Sequence, residues 1–130
     1  RDAGNDLRTG RCYFPEDELH GVGLSAAQIL SESDRFQPIY QRWMEKAQDG
    51  LECGMQYSHA IRNRRVRAAT VLPALIGART LAVLRKAGAS ALHHTIKIPR
   101  REVRGMILSL VIHLASHKQI DTIFNHARRS

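Results

Sequence analysis

A chain of 130 residues is the length of one ordinary domain and long enough to bury a core. Hydrophobic residues at 43% and charged residues at 25%, with few glycines and prolines, exclude disordered, collagen-like and low-complexity chains. The formal net charge of +8 points to an anionic partner, which composition alone leaves open between nucleic acid, a membrane face and a phosphorylated small molecule.

In chain order, residues 1–8 read as the last turns of a helix that begins before Arg1, stopped by Gly10. Pro15 breaks the next stretch, and Glu16, Asp17 and Glu18 suit the start of a short helix. Ser25 reads as the N-cap of another short helix through Leu30. From Phe36 the apolar spacing is helical: Ile39, Tyr40, Trp43, Met44, Ala47, Leu51 and Met55 follow at steps of three and four, with Pro38 in the first turn. A further helix spans about Arg64 to Arg85 on Val66, Ala69, Thr70, Pro73, Leu75, Ile76, Thr80, Leu81 and Leu84, kinked at Pro73 and ended by Gly88. After a connection with β-branched character at Ile96 and Ile98, a last long helix starts near Arg101, with Val103, Met106, Ile107, Leu110, Val111 and Leu114 on one face. Ile120, Ile123, Phe124 and Ala127 continue that face or form a short terminal helix. The fold class expected is all-α. The longest apolar runs, residues 68–78 and 106–115, fall short of the roughly 20 residues a membrane span needs.

Cys12 and Cys53 form neither a CxxC pair nor a secretory framework, so free thiols in a reducing cytosol are expected. The histidines make no HExxH or comparable ligand set, although His113 and His117 stand four apart, and zinc is not expected. No GxSxG, P-loop or GxGxxG occurs. Asp2 and Asp6 are an i, i+4 pair whose carboxylates share a helical face, a donor set suited to Mg²⁺ shared with substrate phosphates or to a plain solvated helix end. Arg1, Arg8 and Arg11 either engage phosphate oxygens or neutralise the nearby acids. Arg62, Arg64, Arg65 and Arg67 form one basic cluster, and Lys97, Arg100, Arg101 and Arg104 a second. No stacking aromatics lie near the first, which disfavours nucleic acid and favours solvent or an anionic membrane.

The opening stretch, "RDAGNDLRTGRCYFPEDEL", resembles the second aspartate-rich motif of the squalene and phytoene synthases: Arg1, Asp2, Asp6, Gly10, Arg11, Tyr13, Pro15, Glu16 and Asp17 fall in the family's order. "IRNRRVRAATVLPALIGARTLAVL" and "HTIKIPRREVRGMI" are similar to the squalene synthase branch. The resemblance implies a helical isoprenoid synthase fold that joins two farnesyl diphosphates head to head through presqualene diphosphate, with NADPH then giving squalene. It implies that Asp2 and Asp6 hold Mg²⁺, that Arg1 and Arg11 lie near diphosphate, that Lys97 and Arg100 contact the NADPH phosphate, and that Ala69 and Pro73 line the cavity. Asn5 and Pro99 depart from the family pattern. The family's first aspartate-rich motif has no counterpart in the sequence, so residues 1–130 are expected to be the C-terminal half of the catalytic domain, inactive without the N-terminal half. The alternatives are a phytoene or dehydrosqualene synthase fragment, or a basic helical module that binds nucleic acid or anionic membrane. The expected location is cytoplasmic, at most peripheral at a membrane face.

Overall fold

The computed structural model describes residues 2–94, 96–112 and 117–129. It is 80% helical, and no strand occurs among the described residues, as the all-α expectation requires. The chain divides into two compact units, Arg1–Glu45 with Leu84–Ile96, and Lys46–Val83 with Lys97–Ser130.

In the first unit, α1 (Ala3–Arg8) ends where Gly10 takes φ +79, a left-handed conformation that glycine adopts without steric cost. The Asp2 carbonyl accepts the Asn5 and Asp6 N–H groups at 2.9 and 3.0 Å. Pro15 precedes α2 (Glu16–Gly21), whose first turn carries Glu16, Asp17 and Glu18 beside the positive end of the peptide dipoles. The short helix expected after Ser25 is a single 3-10 turn, η1 (Ala26–Gln28). Gln28 Oε1 accepts from both the backbone N–H and the hydroxyl of Ser25 at 2.9 Å.

The long helix α3 (Ser33–Ala60) starts earlier than the apolar spacing suggested, because the Glu32 carbonyl accepts the first N–H groups, from Arg35 and Phe36. Pro38 therefore falls in its second turn. The helix α4 (Arg64–Ala87) is continuous through Pro73 and stops at Gly88, φ +59, before the 3-10 segment η2 (Gly88–Leu92). Leu19, Leu24, Ile29, Phe36, Ile39, Leu84 and Leu92 form the core of this unit, with Phe14 edge-on to Phe36 at 4.7 Å between ring centroids. Gln37 Oε1 accepts the Ala89 N–H at 2.7 Å, and the Tyr40 hydroxyl donates to the Leu84 carbonyl at 3.1 Å.

The second unit holds the remainder of α3 and α4 together with α5 (Arg100–Ile112) and α6 (His117–Arg129). Its core is Met55, Val71, Leu75, Ala78, Leu110, Ile120, Phe124 and Ala127. Asn63 caps α4, its Oδ1 accepting the N–H groups of Arg65 and Val66. Arg67 is buried, and its guanidinium donates to the carbonyls of Ile61 and Arg62 at 2.8 and 3.2 Å, orphan acceptors just past the end of α3. His59 meets Asp121 at 2.7 Å and Arg128 meets Glu52 at 2.8 Å, so α6 is tied to α3 at both its ends.

Two expectations need correction. Of the apolar positions expected on α4, Leu75, Leu81 and Leu84 are buried, but Val66, Ala69 and Pro73 are exposed, and Val71, Ala74 and Ala78 are buried in their place. Ile107 and Val111 of α5 are exposed, since Leu110 and Met106 supply its packed face. Leu114 and His113 lie outside the described residues. Arg64–Leu92 is long and apolar enough to cross a membrane by length and composition, a test that a core helix of a water-soluble fold also passes, and its buried positions serve the cores just described.

Burial pushes the Tyr40 phenol up to about 12. The neutral form is therefore favoured by folding: its stabilisation is complete below the ordinary value of 10.0 and is lost as pH rises from there through about 12. Denaturant midpoints at pH 8 and pH 11 should fall less steeply with pH in Tyr40→Phe than in the parent. At pH 8 the variant should be less stable by about 1 kcal/mol for the lost hydrogen bond.

Candidate functional site

The residues that the opening motif brings forward lie on α1 and the loop after it. Helical spacing and the Asp6 N–H to Asp2 carbonyl bond place the two aspartates one turn apart, Asp2 exposed and Asp6 half-buried. Arg11 follows at once, its backbone N–H bonded to the Asp6 carbonyl at 2.8 Å and its side chain exposed. Arg1 lies outside the described residues. Two carboxylates one turn apart are the kind of donor set that Mg²⁺ uses when substrate phosphates and water complete its shell. Among the described residues no group of three His, Cys, Asp or Glu side chains could hold a metal by protein ligands alone. The donor set fits a metal shared with a bound diphosphate, not a closed structural site.

What holds this pair in place was not foreseen from the motif. Gly4, between the two aspartates, is buried against η2, and a methyl group built on it would overlap the carbonyl oxygen of Leu92. Arg8, a candidate phosphate ligand by sequence, instead donates from Nη1 to the same carbonyl at 3.3 Å. Asp2, Gly4, Asn5, Arg8, Ala91, Leu92 and His94 line a crevice of about 20 Å³ beside this contact, room for about one water. The glycine itself was only a weak signal: inside a helix it costs roughly 0.5–1 kcal/mol relative to alanine, yet Gly50, also helical, has open space beside it.

The other implied residues belong to the second unit. Lys97 is exposed in the connection before α5, and Arg100 is exposed at the start of α5, where the Pro99 carbonyl accepts the Glu102 N–H at 2.9 Å. Ala69 and Pro73 are exposed on α4. None of these four residues lines the cavity of about 550 Å³ between α4, α5 and α6, whose walls include Met106, Ile123, Ala127, Ser109 and the Arg79–Glu102 ion pair. In that pair Arg79 Nε donates to Glu102 Oε2 at 2.7 Å and holds the Glu102 carboxyl below the usual carboxylate range. The cysteines are free, Cys12 half-buried and Cys53 exposed.

The seat of α1 makes a direct prediction. Gly4→Ala should lower the thermal midpoint, because the methyl forces α1 away from Leu92. Gly50→Ala, where the space beside the helix is open, should raise it, with a stability gain of about 0.5–1 kcal/mol from helix propensity. Equal stabilisation by both would contradict the packed seat.

Among curated proteins and among solved structures, nothing matches the chain. The family profile of squalene/phytoene synthase matches residues 1–102, which takes in α1, the aspartate pair, α3, α4 and the start of α5. That is well over half of the 130 residues, and with the all-helical fold and the motif geometry it decides the assignment: the chain belongs to the squalene/phytoene synthase family.

Proposed function

We propose that this chain carries the second diphosphate-binding aspartate motif of an enzyme that condenses two farnesyl diphosphates head to head, on the squalene branch of its family. The observation that carries the reading is the pair Asp2 and Asp6, one turn apart on a short helix seated against η2, with Arg11 at its end. The family's activity, condensation of prenyl diphosphates, is the coarser ground on which it rests.

The division of labour follows from charge. Asp2 and Asp6 would hold Mg²⁺ through carboxylate oxygens, and Arg11 and Arg1 would take diphosphate oxygens in the two-pronged manner of a guanidinium. Bound Mg²⁺ would supply positive charge that makes diphosphate a workable leaving group. The part of this chain is to fix where the departing diphosphate rests as the allylic C–O bond breaks and its electron pair leaves with the phosphate oxygen. Seating α1 at Leu92 matters here because displacement of a positioning group by about 1 Å costs on the order of 10²-fold in rate. Ala69 and Pro73, small and exposed on α4, offer an apolar face of modest size to a prenyl chain.

For NADPH, Lys97 and Arg100, both exposed, suit a phosphate group. Squalene is distinguished from a phytoene or dehydrosqualene product by product analysis with and without NADPH. The sequence contains no second DxxxD spacing, so the 130-residue chain alone is proposed to bind diphosphate without turnover.

Binding of a non-reactive farnesyl diphosphate analogue should require Mg²⁺. It should weaken by about 100-fold or more in Asp2→Ala and in Asp6→Ala, the upper end of what loss of even an outer-shell metal partner costs. Salt-sensitive DNA binding that ignores both substitutions would instead favour a basic binding module. Robust squalene formation by the purified chain would contradict the claim that it lacks turnover alone.

A further inference from the structure

Arg8 and His94 stand on the two sides of the contact that seats α1, and only Arg8 is used by it. Its guanidinium donates to the Leu92 carbonyl, so it serves the seat and not a phosphate. His94 follows Leu92 by two residues, is exposed, and its ring enters no hydrogen bond or ion pair with another described residue. Both line the narrow crevice between α1 and η2, and so do Asp2 and Asn5, all within the first unit. At about 20 Å³ the crevice is too small for a phosphate group, but it brings His94 and the Asp2 end of α1 close together. At about 100° per residue, Gly4 faces Leu92, Asp6 stands on the opposite side, and Asn5 falls between them. The crevice thus runs from the seat of α1 round to the edge of the face that carries the two carboxylates. Among the described residues that border it, Asp2 is the one acid.

We propose that His94 is a further diphosphate contact of the candidate site. Its ring N–H donates to an oxygen of the diphosphate that Asp2 and Asp6 hold through Mg²⁺, at the Asp2 end of α1, while Arg11 serves the Asp6 end. This role rests on the diphosphate reading of the aspartate pair. A diphosphate shared with one Mg²⁺ keeps negative charge on its outer oxygens, which call for donors on both sides of the metal. An exposed imidazole carries an N–H in either protonation state and can donate it without breaking a bond inside the protein. Arg8 cannot do the same, because turning to a phosphate would release Leu92 and with it the hydrogen bond that accompanies the packing at Gly4. The Leu92 carbonyl that seats α1 lies two residues before His94, so the contact that fixes the aspartate pair also fixes how far His94 stands from it.

The test is titration calorimetry of the purified chain with inorganic diphosphate at constant Mg²⁺, alongside thermal midpoints. His94→Ala should weaken binding by about 10-fold, as loss of a hydrogen bond to a charged group does. His94→Gln keeps an N–H donor at similar reach and should recover most of that loss. His93→Ala, equally exposed but outside the crevice, should bind as the parent does. All three variants should keep the parent's thermal midpoint. Asp2→Ala tells the two levels of the account apart. If it abolishes Mg²⁺-dependent binding while His94→Ala binds like the parent, the His94 contact is overturned and the aspartate reading stands. If binding ignores Asp2→Ala, both are overturned. A loss in His94→Ala that His94→Gln fails to recover, or that comes with a lowered midpoint, would assign His94 to the packing beside η2 and overturn the contact.

Discussion

One carbonyl oxygen, that of Leu92, organises the end of the chain on which the functional reading depends. It sits where a side chain on Gly4 would be, and it accepts the guanidinium of Arg8. α1 is packed against η2 through the close approach at Gly4 and the Arg8 bond. The packing runs through the position between the two aspartates, which ties the direction of their carboxylates to the placement of η2. η2 is fixed in turn by the left-handed Gly88 and by the Gln37 bond to Ala89. The geometry of the candidate site is therefore inherited from residues some 85 positions away in sequence, with loop closure already met by the core around Phe36 and Leu84.

The excess of positive charge is not one surface. Arg67 closes the carbonyl end of α3, Arg8 holds α1, Arg79 is engaged with Glu102 and Arg128 with Glu52. Arg42 and Trp43 meet the same carboxyl oxygen of Glu18. Such cations act mainly on folding, and exposed pairs among them contribute little each. Of the cations facing water, Arg62, Arg64 and Arg65 lie around the start of α4 and Lys97, Arg100, Arg101 and Arg104 around the start of α5, while Arg11, Arg85, Lys118 and Arg129 stand elsewhere. A formal charge of +8 thus combines structural and recognition roles that composition could not separate.

Much of the fold could be read in the sequence because helices write their period into it. The stops at Gly10 and Gly88 and the span of α4 through Pro73 follow from local rules, and Phe36, Ile39, Tyr40 and Met55 are buried as their spacing suggested. What could not be read was which side of a doubly apolar helix meets the core. On α4 the stripes through Val66 and through Val71 are both apolar, and on α5 those through Ile107 and through Leu110 are too. Only tertiary packing chooses between them. The aspartate pair and Arg11 could be picked out by motif, since their chemistry is in the residue types. Their support could not, because the partners of Gly4 and Arg8 are distant in sequence and one of them is a backbone atom. Asn63 lies in a stretch similar to the family, while its local work, capping α4, is visible in the bonds from Arg65 and Val66.

The central claim is that Asp2 and Asp6 together receive a metal-bound diphosphate on a helix that is already seated. Hydrogen exchange at the amides of residues 5–11, measured with Mg²⁺ alone, inorganic diphosphate alone, and both together, tests it most directly. The account predicts moderate protection in the free chain and a marked increase only when both are present. Protection that is the same in all conditions, or that rises with diphosphate alone, would contradict it.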